Sequence, residues 1–191
     1  MSSVIISGDT SGAITVSAPA VAGTNTLTLQ AATATNSVNT RGTAVNSTSG
    51  TSIDFTGLPD WIKKITVMMV GVSTNGTSNF LLQMITGTST VVTSGYGSSS
   101  SSGAGGATST AGNILTAGIA AANLYNIAIT CYSFSGNTWL TTSYGGTTTA
   151  NTGNVSGGNI TLGATLTGVR LTTVNGTDTF DAGSVNILYE G

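Results

Sequence analysis

Short runs of β-branched and aromatic residues recur at intervals of roughly ten residues, parted by Gly, Asn, Ser and Pro, and this rhythm limits the possible folds more than any other feature. The runs are "KKITVMMVGV" (63–72), "NFLLQMI" (79–85), "STVVTSGY" (89–96), "LYNIAITCYSF" (124–134), "TWLTTSY" (138–144), "GNITLGATL" (158–166), "GVRLTTV" (168–174) and "GSVNILYE" (183–190). Before them, "TSIDFTGLPDW" is interrupted by Pro59, with Trp61 placed to cover the edge of a core. Only "AGNILTAGIAAANLY" (111–125) has room for a helical turn or two, and glycines break it. Strands of this number and spacing predict an all-β chain: an antiparallel β-sandwich, jelly-roll-like. Asn75-Gly76 offers the two positive-φ residues of a type I′ turn and predicts a hairpin joining 63–72 to 79–85; Asn175-Gly176 offers a second turn.

Polar stretches divide the chain. "TRGTAVNSTSGTS" (40–52) reads as a linker, so residues 1–42 form an N-terminal arm or stem and residues 43–191 the sandwich. Within 1–42, "SVIIS", "GAITV" and "NTLTL" are each too short to build a core alone. Ile5, Ile14, Val16, Leu27 and Leu29 are the residues such an arm would bury, against sister chains around a common axis or against another subunit. "GYGSSSSSGAGGATSTAG" (95–112) and "GGTTTANTGNVSG" (145–157) have the composition of mobile surface loops.

Charge excludes several function classes. Only 5% of the 191 residues are charged, against about 25% in an ordinary soluble domain. Four cations, Arg41, Lys63, Lys64 and Arg170, are too few to neutralise a phosphate backbone, so nucleic acid is not an expected partner. There is no basic amphipathic stretch, and the longest apolar run, "ITVMMVGV" (65–72), falls well below the ~20 residues that span a bilayer, so membrane insertion is not expected. "MSSVIISGDT" lacks the basic and apolar regions of a signal peptide, which predicts synthesis in a cytosol. Apolar residues make up 39%, too many for a disordered chain. A surface so poor in charge suits a subunit packed against copies of itself or a larger particle.

Reactive groups are scarce. Histidine is absent, which removes the usual general base and the commonest metal ligand. Cys131, the single cysteine, sits in an apolar run and reads as a buried small hydrophobe. Asp178 with Asp181, and Asp54 with Asp60, are the carboxylate pairs closest in sequence, yet neither has the alternating ligand spacing of a calcium loop. No catalytic, cofactor or metal residues are therefore expected, and the protein reads as a non-enzyme. Tyr132, Trp139 and Tyr144 are candidate glycan contacts, because sugar faces stack on exposed aromatic rings; Tyr132 and Trp139 flank the turn "SFSGNT". Core or interface packing is the competing reading for all three.

The segment "SGDTSGAITVSAPAVAGTNTLTLQAATAT" (7–35) resembles one recurrent in fibre and appendage proteins of tailed bacteriophages, with Gln30 where proline is frequent. "FTGLPDWIKKITVMMVGVSTNGTS" (55–78) and "TLTGVRLTTVNGTDTFDAGSVNILYEG" (165–191) resemble the opening and close of a β-rich phage module found in tail-fibre-like and short virion proteins. The resemblance implies a homotrimeric structural protein that is assembled in the host cytoplasm and displayed on the virion surface. There it would decorate or cement the capsid or form a short fibre, docked on a capsid or tail protein. The alternative it implies is a receptor-binding fibre tip holding host glycans through loops 95–112 and 145–157.

Overall fold

The computed structural model describes residues 3–7, 13–17, 38–103, 105–121 and 123–191. The chain divides into two compact units, Met1–Asn36 and Ser37–Gly191. In the first, β1 (Ser3–Ser7) and β2 (Ala13–Ser17) pair antiparallel, setting Val4 opposite Val16, Ile5 opposite Thr15 and Ile6 opposite Ile14. The third expected run, with Leu27 and Leu29, lies outside the described residues.

The second unit contains β3 (Asn39–Arg41), β4 (Val45–Asn46), β5 (Ile53–Thr56), β6 (Lys64–Thr74), β7 (Phe80–Thr86), β8 (Thr90–Val91) and β9 (Gly97–Ser102). It continues with β10 (Gly105–Ser109), β11 (Asn113–Ile114), β12 (Tyr125–Ser135), β13 (Thr138–Thr147), β14 (Gly153–Thr161), β15 (Leu166–Thr173) and β16 (Phe180–Glu190). A nine-stranded sheet runs β10-β9-β14-β13-β12-β6-β16-β3, with β4 also on β16; a five-stranded sheet runs β11-β7-β15-β5, with β8 on β7. All pairings are antiparallel, and the two sheets pack as a β-sandwich without helix among the described residues. The nine-and-five division differs from the eight strands of a simple jelly roll.

Period-two alternation builds the core. Ile65, Val67 and Met69 of β6, Ile127, Ile129 and Cys131 of β12, and Val185 and Ile187 of β16 point inward. Phe80, Leu82 and Met84 of β7 and Val169 and Leu171 of β15 belong to the same buried cluster. Phe80 stacks on Phe180 at 6.2 Å and meets Tyr125 edge-on at 5.4 Å, joining the two sheets. β7 is central in its sheet and all seven of its residues are buried, which explains its unalternating apolar run.

Four sequence expectations are corrected. The unit boundary falls at 36/37 rather than 42/43, and the expected linker 40–52 is an edge of the large sheet: β3 and β4 pair with β16, and the buried Ser47 donates to Ala182 O at 2.7 Å. The Asn75-Gly76 hairpin does not form. Neither residue takes positive φ, and β6 and β7 lie in different sheets. Asn75 N instead donates to Thr179 O, Thr179 N donates to Asn75 Oδ1, and Ser78 N donates to Asp178 Oδ2, each at 2.8 or 2.9 Å. The two Asn-Gly segments are thus sheet-to-sheet crossings tied to each other. Among its described residues the 111–125 region forms no helix; it contributes β11 and the buried Leu115, Ala117 and Ile119.

The fourth correction concerns the expected loops. Five consecutive serines, Ser98 to Ser102, lie in β9, and 153–157 lie in β14 beside it. Serine is a poor strand former on its own. Here the inward hydroxyls are satisfied: Ser98 Oγ donates to Gly112 O (2.8 Å), Ser100 Oγ to Thr116 O (2.8 Å) and Ser102 Oγ to Ala117 O (2.7 Å). Tertiary hydrogen bonds override the local preference.

A glycine pair bends the centre of the large sheet. Gly71 (φ 62°) and Gly183 (φ 90°) face one another where β6 slips register against both β12 and β16. A Cβ on Gly183 would stand 2.6 Å from Val70 O, and closer still to Gly71. Gly183→Ala is expected to destabilise the protein by about 3 kcal/mol or more, whereas Gly57→Ala, with φ 73° but open space around it, costs only about 1–2 kcal/mol. Urea unfolding of the two variants measures the difference; equal losses would show that the bulge accommodates a side chain.

Candidate functional site

The alternation that fills the core also sends a second set of side chains to the outside of the nine-stranded sheet. On β6 these are Lys64, Thr66, Met68 and Val70; on β12, Ala128, Thr130 and Tyr132; on β13, Leu140, Thr142 and Tyr144. Register sets them in rows. Val155, Tyr144, Ala128, Met68 and Asn186 form one, and Asn159, Leu140, Tyr132, Lys64 and Glu190 another. Five of these residues are large, apolar or aromatic, and exposed: Tyr144 (69%), Val70 (62%), Val155 (59%), Leu140 (45%) and Tyr132 (44%). Isolated exposed apolar residues are ordinary, but a cluster on one flat face marks an interaction site.

The electrostatics of this face are nearly blank. Lys64 Nζ reaches Glu190 Oε1 at 2.9 Å across β6 and β16, and the carboxylate raises the ammonium pKa above its usual value. On the five-stranded sheet Arg170 makes a bidentate pair with Asp54, Nε to Oδ1 and Nη2 to Oδ2 both at 2.7 Å, and its pKa is raised by that hydrogen bond. Asp54 is therefore bound to a guanidinium, away from Asp60. Asp178 accepts from Ser78 N and Asn175 Nδ2 and so ties the two crossings together, while Asp181 accepts from Ser73 Oγ and joins β16 to β6 within the large sheet. Among the described residues no cluster of three or more metal-ligating side chains occurs.

The expected glycan residues separate. Tyr132 sits opposite Leu140 and Ser133 opposite Trp139, so Tyr132 and Trp139 point to opposite sides of the sheet. Trp139 is 5% exposed and belongs to the core, and its ring is not available for a sugar to stack on. Tyr132 and Tyr144 do share the open face. Sequence reasoning missed Met68, Val70, Val155 and Leu188. A usable signal lay in "VMMV" (67–70), where both alternating sets are apolar, so whichever set faces out places apolar side chains on the surface there.

The interior holds two nucleophile-type groups that burial silences. Cys131 is fully buried beside Thr141 Oγ1 (3.6 Å), and its thiol is pushed up to about 12 by desolvation. The Tyr96 hydroxyl accepts from Met84 N (2.7 Å) and donates to Val92 O (3.1 Å); burial raises its pKa to about 12. Asn113 and Asn154, also buried, have no partner for either side-chain polar atom.

Comparison with protein-family models, curated proteins and solved structures returned no match.

Both raised pKa values concern groups that are neutral when protonated, so their contribution to stability is full below the unfolded values of 9.0 and 10.0 and is lost as pH climbs towards about 12. Thermal midpoints are expected to fall progressively above pH 9, with Cys131→Ala delaying the onset by about one pH unit, to the ordinary tyrosine range. Melting curves between pH 7 and 11 test this; an identical onset in the variant would mean that Cys131 does not titrate on unfolding. Separately, Tyr96→Phe leaves Met84 N–H buried without its acceptor and is expected to cost about 1–3 kcal/mol in urea unfolding.

Proposed function

We propose that this chain is a non-enzymatic structural protein of a tailed-phage virion, a trimeric surface appendage that decorates or cements the capsid or forms a short fibre. The observation that carries the proposal is the open face of the large sheet, where Tyr132, Leu140, Tyr144, Val155 and Val70 stand exposed together with little free charge around them. Such a surface is costly to leave in water and useful only when covered. The resemblance of 7–35, 55–78 and 165–191 to phage appendage segments supports the same reading. So does the use of the charged groups, which tie the sandwich together at Lys64–Glu190, Asp54–Arg170 and Asp178. In this proposal the first unit, with Ile5, Ile14 and Val16 in its two strands, provides docking or trimerisation.

A second reading, a receptor-binding fibre tip, is favoured by one observation: Tyr132 and Tyr144 stand exposed on a single face, with Leu140 opposite Tyr132 on the strand that carries Tyr144. Residues 97–102 and 153–157 are strands, so a glycan site in this reading belongs on the sheet face and not in loops 95–112 and 145–157.

Co-sedimentation with phage particles stripped of the protein tests the proposal. The full chain is expected to bind at saturating, countable stoichiometry, and a chain lacking residues 1–36 is expected to lose binding. Failure of the full chain to bind any particle, together with glycan binding abolished by Tyr144→Ala, would replace the first reading by the second.

A further inference from the structure

We propose that the open face of the nine-stranded sheet is where copies of this chain meet one another. The inference rests on the assembly reading above and names the surface and the partner that reading requires.

The relief of the face suits a like partner. Tyr132, Leu140 and Tyr144 raise a ridge over β12 and β13. On one side of it, Ser99, Ser101 and Gly157 carry little or no side chain and leave a hollow of about 260 Å³ beside Val155. On the other side, Met68, Val70 and Leu188 line a hollow of about 310 Å³, with Arg41 at its rim. A ridge between two hollows on one surface is self-complementary, because the ridge of one copy enters a hollow of the next.

Charge points the same way. Lys64 and Glu190 close on each other at 2.9 Å, so among the described residues the one unpaired charge each copy brings to the contact is Arg41, beside the larger hollow. The face has no cation cluster to hold a lipid headgroup or a phosphate backbone, and no charge pattern that would select a dissimilar protein. Its size is adequate. From β9 to β16 it spans six strands, roughly 29 Å by 20 Å at ordinary strand spacings, so two copies would cover about 1,160 Å² before side-chain relief, above the ~1,000 Å² of a biological interface and at the low end of the stable range.

Sedimentation velocity of the full chain from about 1 to 100 µM, beside Tyr144→Lys and Val155→Lys, tests the proposal. Both positions are exposed, and circular dichroism with a melting curve checks that each variant folds. The expected result is a concentration-dependent oligomer whose dissociation constant rises at least ~30-fold in either variant, as for a central contact residue. A second measurement uses Tyr144→Cys and Val174→Cys, the native Cys131 being buried. The maleimide reaction at position 144 should slow at least ~10-fold on oligomerisation, while position 174, exposed beyond the end of β15, should react at its free rate.

A wild-type chain that stays monomeric at 100 µM overturns the proposal, as does an oligomer of unchanged strength in both lysine variants. The same variants in the particle-binding assay separate the two readings. An oligomer that breaks on substitution but never binds particles leaves this interface standing and removes the virion role. A monomer whose particle binding fails in the lysine variants overturns self-association and assigns the face to a virion partner.

Discussion

Everything in the sandwich depends on strand β6 being enclosed between β12 and β16. A strand in that position satisfies its backbone on both edges, and its pleat then leaves no choice about its side chains. Ile65, Val67 and Met69 go to the core, and Thr66, Met68 and Val70 go to the outside. The candidate interaction face is therefore the unavoidable second half of the core pattern, apolar in β6 at Met68 and Val70, where both alternating sets are apolar. The Gly71–Gly183 bulge bends the strand near its end without changing that division over residues 64–70.

The sandwich is held by two different chemistries. Around β6, β12, β7 and β15 it is a conventional apolar core in which Phe80 bridges the sheets. Towards β9 and β14 the inner surface carries Ser98, Ser100, Ser102, Ser143 and Ser156 beside Asn154 and Ile160, and the serine contacts are hydroxyl hydrogen bonds to the carbonyls of 112–117 or between the hydroxyls of Ser143 and Ser156 (2.6 Å). Hydrogen bonds of this type are directional, so this half trades bulk for a defined register. Small residues also keep the outer surface of β9 and β14 low, which produces one of the two hollows beside the tyrosine ridge.

Several ionic groups are consumed by architecture. Asp178 binds one crossing to the other, Asp54 holds Arg170 across β5 and β15, and Lys64 pairs with Glu190 across β6 and β16. Pairs of this exposure stabilise weakly, so their clearer effect is to leave Arg41 as the one unpaired charge, among the described residues, on the open face of the large sheet. The single thiol and the buried Tyr96 phenol are held neutral by desolvation. A molecule so arranged is suited to contact, which is the reading the proposed virion role takes up.

The sequence by itself determined the all-β class, the approximate positions of β6, β7, β12, β13, β15 and β16, the burial of Cys131, and the presence of a distinct N-terminal segment. These follow from local periodicity and residue type, which survive without knowledge of partners. Tertiary structure alone decided the rest. Asn75-Gly76 has the residues of a hairpin turn, yet it crosses between sheets because Asn75 and Ser78 find their partners at Thr179 and Asp178, about a hundred residues away. A serine run with the composition of a linker became strand β9 because carbonyls of a later segment accept its hydroxyls. Trp139 and Tyr144 looked alike as exposed aromatics; their odd separation of five residues along β13 sends one into the core and the other onto the open face. In each case the deciding energy lies in contacts between residues distant in the chain, and no local pattern carries that information.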